Sequence, residues 1–196
     1  MTGSTRVPGA EMTGVYAGLL KFAMRRMLGG VPAGAEVSWH NPPVFKDMMK
    51  FGRRVEKWNR LDDNLSCFAV MAAAAEIGCS FCLDLNYFMS HHRKLDEAKV
   101  RQVPRWRESE AFTPLERQVM EYAEGMCQTT PQVTDEMSVA LLQELGAPAL
   151  VELTAKVAFM NATARSNIAL GIHSEEYAQA CGLATLATRT RTIPGA

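Results

Sequence analysis

The sequence predicts an all-helical protein. Apolar residues recur at helical spacing through most of its 196 residues, and capping residues break these runs into segments of helical length. No stretch alternates apolar and polar side chains with period two over a useful length. A chain of this size with 47% hydrophobic residues is long enough to bury an interior as one ordinary domain, without metal or disulfide support.

The elements follow in chain order. Residues 1–9 read as a flexible tail. From Ala10 to Leu28, Met12, Tyr16, Leu19, Leu20, Ala23 and Met27 recur at helical spacing, and Gly29-Gly30 end the run. Three roles stand open for so apolar a first helix: packing on the core (the leading one), clasping a partner subunit, or lying on a membrane. Residues 29–43 hold three Pro and three Gly and read as a loop. Asn41 then stands as a cap before Pro42-Pro43, with helix over 44–58. Asp62 and Asp63 are N-cap candidates for a helix through Leu65, Phe68, Met71 and a string of alanines, closed by Gly78. Cys79 to about His92 reads as the next helix, followed by a charged turn, a short segment near 95–101 and a loop at VPRWRES.

The second half opens on Thr113, Pro114 and Glu116, which match a capping box. That helix aligns Leu115, Val119, Tyr122, Ala123 and Met126 on one face. Thr134 caps the next helix, to Leu145-Gly146. Residues 148–170 form the longest, with a seam of Leu150, Leu153, Val157, Met160, Ala164 and Ile168, and with Asn161 and Arg165 one turn apart. The expected organisation is a single helical domain over 10–183 and a second flexible tail over 184–196.

Charge narrows the function classes. Twenty-one basic residues balance 21 acidic ones, so no broad field gathers phosphates, and nucleic acid is not an expected partner. No uncharged run approaches the roughly 18 residues that a membrane span needs, and the N-terminus has no signal-peptide pattern. Five cysteines at 67, 79, 82, 127 and 181 do not resemble a secreted disulfide framework, and the cytoplasm is the expected location.

The pair Cys79 and Cys82 is the feature with chemistry in it. Both face one side of the helix they open, where unpaired backbone N–H groups and the helix dipole favour a thiolate. The spacing also lets the sulfurs bond, which two-electron redox chemistry requires. Redox function leads; metal binding and plain burial stay open. Leu83 stands where haem attachment needs histidine, and a helix precedes the pair where a thioredoxin motif needs a strand. Zinc would need two more ligands, and His91 and His92 point away from Cys82. No cofactor is expected.

The stretch AAAAEIGCSFCLDLNYF, preceded by LDDNL, resembles carboxymuconolactone decarboxylases and their alkylhydroperoxidase D-like relatives. So do TPLERQVMEYAEGM, VTDEM and LVELTAKVAFMNATARSNIALGI; together the similarity spans roughly residues 40–173. The resemblance implies an all-α multi-helix bundle that forms homo-oligomers such as trimers and hexamers. In the hydroperoxidase branch the motif is Glu-x11-Cys-x2-Cys-x3-His, with Glu and His as a proton relay. That logic makes Cys82 the attacking thiol and Cys79 the resolving one, with a thiol reductant restoring both. This chain departs from the motif twice: Cys67 stands at the glutamate position and Asn86 at the histidine position.

The function so implied is a thiol-dependent peroxidase that reduces hydroperoxides weakly for want of the relay. The alternatives are a decarboxylase-like enzyme acting on a small lactone carboxylate and a non-catalytic helical ligand-binding oligomer. Asn86 lies on the face of Cys82 and can hydrogen-bond but not take a proton. Cys67 reads first as a buried small residue, and second as a third thiol in disulfide exchange; Cys127 and Cys181 share the first reading. Asn161 and Arg165 read first as a buried or intersubunit hydrogen-bond network, and second as groups orienting a carboxylate or peroxide. Asp84, the acid inside the motif, is expected to be solvated or paired with an arginine.

Overall fold

In the computed structural model residues 5–187 are described, and among them there is no strand. The terminal positions 1–4 and 188–196, parts of the two expected tails, lie outside the described residues. The helices are α1 Val15–Leu28, α2 Ala33–Ser38, α3 Pro42–Val55, α4 Asp63–Ile77, α5 Ser80–His92, α6 Glu97–Val100, α7 Pro114–Cys127, α8 Asp135–Leu170 and α9 Tyr177–Ala180, with a 3₁₀ turn at Val103–Glu108.

Local side-chain chemistry sets most of the boundaries. The Asn41 side chain accepts from Val44 N–H, the Asp62 carboxylate from Asn64 and Leu65 N–H, and the Thr134 hydroxyl from Met137 N–H. The capping box of Thr113 and Glu116 is formed in both directions. Several boundaries differ from the sequence reading, including a 3₁₀ turn at Val103–Glu108 where a loop is expected and an α3 of Pro42–Val55 in place of 44–58. The first helix starts at Val15 rather than Ala10, because Gly14 at φ 93° turns the chain and Ala10 N–H is spent on Glu36 O. The loop at 29–43 contains α2; its glycines and prolines flank the short helix, and Pro32 O accepts from Ala35 and Glu36 N–H. The helices expected on either side of Gly146 are two arms of α8, which breaks there at φ 75° just ahead of Pro148.

Helix α4 is the centre of the molecule, packed against α5, α7, α8 and the 3₁₀ turn. It is apolar all round, as a core helix must be: Phe68, Ala69, Met71, Ala72, Ala73 and Ala74 are completely buried. The alanines let neighbours approach on one side, where Ala69, Ala73 and Ala74 meet Val119, Leu153, Val157 and the cysteine pair. On the other side Cys67, Phe68 and Met71 join Tyr87, Val103, Trp106 and Met120. A smaller cluster of Met24, Ala35 and Phe45 ties α1 to α2 and α3. The core reading of α1 therefore holds for one face, while Val15, Leu19 and Phe22 point outward, as do Val44, Met48 and Phe51 of α3. Among the described residues no helix is long and apolar enough to cross a membrane.

A buried ion pair joins α8 to the corner before α4. Lys156 Nζ lies 3.1 Å from Glu152 Oε1 and donates to Ser66 Oγ at 3.0 Å and Trp58 O at 3.3 Å. Glu152 Oε2 accepts Arg60 N–H at 2.7 Å. Removing one member strands the other charge in the interior. Glu152→Ala should cost about 3–5 kcal/mol in urea unfolding. The double variant Glu152→Leu/Lys156→Met should recover most of that loss.

Candidate functional site

The site is built at the corner between α4 and α5, which is two residues long. Gly78 ends α4 in the left-handed conformation at φ 85°, where a side chain would be strained, and its N–H returns to Ala74 O. Cys79 is the N-cap of α5; its own N–H also returns to Ala74 O, at 2.9 Å. A cap needs an acceptor, and here it is sulfur: Cys79 Sγ accepts Cys82 N–H at 3.2 Å. The two cysteines are disulfide-bonded, with Cα atoms 5.3 Å apart. Both lie in the core, Cys79 1% and Cys82 4% exposed.

The hydrogen-bond donor beside Cys82 comes from the last turn of α8, where Asn167 Nδ2 lies 3.5 Å from Cys82 Sγ. Sequence reasoning missed this residue. It is one of several polar side chains of α8, 85 positions away, and it has no spacing relation to the pair.

The other expected residues divide among separate places. Asn86 shares the helix of Cys82, but its amide donates to Cys82 O at 2.7 Å, within the helix, rather than to sulfur. Cys67 lies on the far side of α4 with its thiol against Met71 Sδ, and burial pushes it up to about 12. Asn161 Nδ2 donates to Cys127 Sγ at 3.3 Å, and Arg165 Nη2 donates to Cys127 O at 2.6 Å. The two therefore fasten the end of α7 to α8 and are not at the cysteine pair. Burial pushes the Cys127 thiol up to about 11 against the lowering effect of the Asn161 bond. Cys181 is exposed. His91 meets Glu97, and His92 meets Phe88 O. Among the described residues no group of three or more His, Cys, Asp or Glu is placed to hold a metal.

Asp84 corrects the sequence reading. It is buried, and among the described residues it pairs with no arginine. Its carboxylate accepts from Ser174 Oγ at 2.8 Å, Tyr177 N–H at 2.9 Å and Ala178 N–H at 2.9 Å. Ser80 Oγ, next to Cys79, accepts Ser174 N–H at 3.1 Å. Thus the first turns of α5 hold both the cysteine pair and the segment that follows α8.

Comparison with known proteins gives a consistent placement. Residues 42–125 match the model of the carboxymuconolactone decarboxylase family. The uncharacterized protein YnjA of Escherichia coli (strain K12) is 36% identical over 97 residues, so the match spans about half of each chain: 50% of this one and 53% of that one. The debrominase Bmp8, as a cysteine-to-alanine variant in complex with 2,3,4-tribromopyrrole, superposes with a TM-score of 0.77 at 17% identity over 90% of this chain and 95% of its own. The alkylhydroperoxidase AhpD core of an uncharacterized peroxidase-related protein from Ralstonia eutropha JMP134 gives 0.76 at 17% identity, over 88% and 94%. At these identities the solved structures share the fold.

With the pair disulfide-bonded, native protein should alkylate rapidly at Cys181 alone, and Cys67 and Cys127 should react only after denaturation. The buried thiols also set a pH dependence. Their ordinary value is 9.0, and folding raises it to about 12 and about 11. Their contribution to stability is therefore full below pH 9 and is lost as pH climbs through the raised values. Urea titrations from pH 8 to 11 should show that decline, and Cys67→Ala should flatten it.

Proposed function

We propose, for a chain whose residues 42–125 belong to the carboxymuconolactone decarboxylase family, that Cys79 and Cys82 form a two-electron thiol–disulfide couple that reduces hydroperoxides. The observation that carries the reading is the corner itself: two sulfurs within bonding reach, each with its own N–H donor.

The donors fit a division of labour. In the reduced protein Cys82 thiolate attacks the terminal peroxide oxygen. The O–O bond breaks, the alcohol leaves with one proton from solvent, and Cys82 becomes a sulfenic acid. Cys79 thiolate, held by the Cys82 N–H and the positive end of α5, then attacks the Cys82 sulfur. Hydroxide leaves, takes a proton as water, and the disulfide remains. An external dithiol reverses the cycle by attacking Cys82, with Cys79 as the stabilised leaving thiolate. Such a reductant belongs to a reducing compartment, which agrees with a cytoplasmic location.

The hydrogen-bond partners of the two sulfurs are the Cys82 N–H and the Asn167 amide, neither of which is a base. Asn167 stabilises the Cys82 thiolate by hydrogen bonding but cannot accept its proton, and Cys67 and Asn86 spend their hydrogen bonds on Met71 Sδ and Cys82 O rather than on either sulfur of the pair. General-base help is worth about 10²–10⁴-fold, so turnover is slow on that scale. The burial of both cysteines restricts the oxidant to small molecules. The outward stripes of α1 and α3 fit burial against a second copy of the chain, in line with the oligomers that the resemblance implies.

Reduced protein should consume cumene hydroperoxide with second-order kinetics, and Cys82→Ser should abolish the reaction. Asn167→Ala should slow it at least severalfold at pH 7 and move the midpoint of its pH profile upward. Consumption by Cys82→Ser at the wild-type rate would refute the reading.

A further inference from the structure

Behind the helix that holds the cysteine pair, on a different face of it, lies a cavity of about 650 Å³. Its apolar lining includes Ala75 of α4, Leu83 of α5, Pro104 of the 3₁₀ turn, and Leu183 and Leu186 of the segment after α9, and polar side chains such as Ser80, Asp84 and Glu176 share the lining. The size falls within the range of small-molecule sites, roughly 300–1,000 Å³, and apolar walls with a few polar groups at the edge are the usual composition of such sites.

The cavity is held open by bonds that do not depend on filling it. Asp84 caps the start of α9 with both carboxylate oxygens, and Ser80 takes Ser174 N–H. At the far end Ala187 N–H reaches Arg101 O at 3.0 Å. The turn at Gly171 is fixed in its own way: φ is 70°, and a Cβ there would lie 2.9 Å from Arg6 N, so the chain at 5–6 braces it. The segment 171–187 is therefore a preformed wall, tied at both ends.

The charge of the lining disfavours an anion. Among the described residues the ionisable side chains that line the cavity are Asp84, Glu176 and Tyr87, with no lysine or arginine. An anion entering such a space would lose its hydration and gain no counter-charge. Burial of apolar surface is the available driving force, at about 25 cal/mol per Å².

We infer that this cavity is a binding site for a small, neutral, apolar molecule of one or two rings or the equivalent alkyl bulk, distinct from the cysteine pair. The site does not rest on the redox reading. Neither cysteine lines it, so Cys82→Ser binds such a molecule as the wild type does.

The test is a fluorescence titration of the full chain with N-phenyl-1-naphthylamine, which is neutral, beside 8-anilino-1-naphthalenesulfonate, an anion with the same rings. The neutral probe is expected to bind one per chain with a micromolar Kd, and the sulfonate at least tenfold more weakly. Ala75→Trp and Leu186→Trp, which add bulk at two lining positions on different elements, should each weaken the neutral probe at least tenfold while circular dichroism stays helical. Failure of the neutral probe to bind, equal binding of both probes, or wild-type affinity in both folded variants would overturn the inference. The comparison of probes on wild-type protein decides the matter even if the variants do not fold.

Discussion

The structure depends on one short corner. Between Ile77 and Ser80 the chain has two residues in which to end one helix and begin another. Gly78 supplies the left-handed step that ends α4, and Cys79 supplies the acceptor that begins α5. A serine or aspartate would cap as well; a cysteine caps and also places sulfur where the next turn delivers a second sulfur. The central position of α4 then decides the environment. Because α4 is buried on every side, the corner at its end is drawn into the core, and the cysteine pair is enclosed with Ala73, Ala74, Leu153 and Val157.

Enclosure separates the five cysteines into kinds. Cys67 and Cys127 meet sulfur, carbonyl and amide groups without a cation at hydrogen-bond distance from the thiol, and burial keeps them neutral. Cys79 and Cys82 sit where a helix start and an amide side chain offer N–H groups to sulfur, the setting that the proposed thiolate chemistry calls for. Identical side chains within one core thus differ in chemistry through what stands within about 3.5 Å of each sulfur.

Much of this was legible in the sequence because helix ends are local. Asn41, Asp62, Thr113 and Thr134 announce their caps through residues two or three positions away, and the structure forms each of those bonds. The Cys79–Cys82 proximity is legible for the same reason. What was not legible is set by long-range partners. Asp84 reads as a surface acid until its partners at 174, 177 and 178 are known, and Asn167 has no local sign of reaching Cys82. Asn161 and Arg165 announce a polar network, but only the placement of α7 assigns that network to Cys127. The short helix α2 was hidden because glycine and proline at its borders look the same as glycine and proline in a loop.

The central claim is that Cys79 and Cys82 cycle between dithiol and disulfide at the expense of a hydroperoxide. Peptide mass spectrometry of fully reduced protein, quenched seconds to minutes after one equivalent of cumene hydroperoxide, tests it most directly. A selective Cys79–Cys82 disulfide, with Cys67 and Cys127 still reduced, is the expected result. Persistence of both thiols at 79 and 82 over many minutes, or oxidation spread indifferently over all five cysteines, would contradict it.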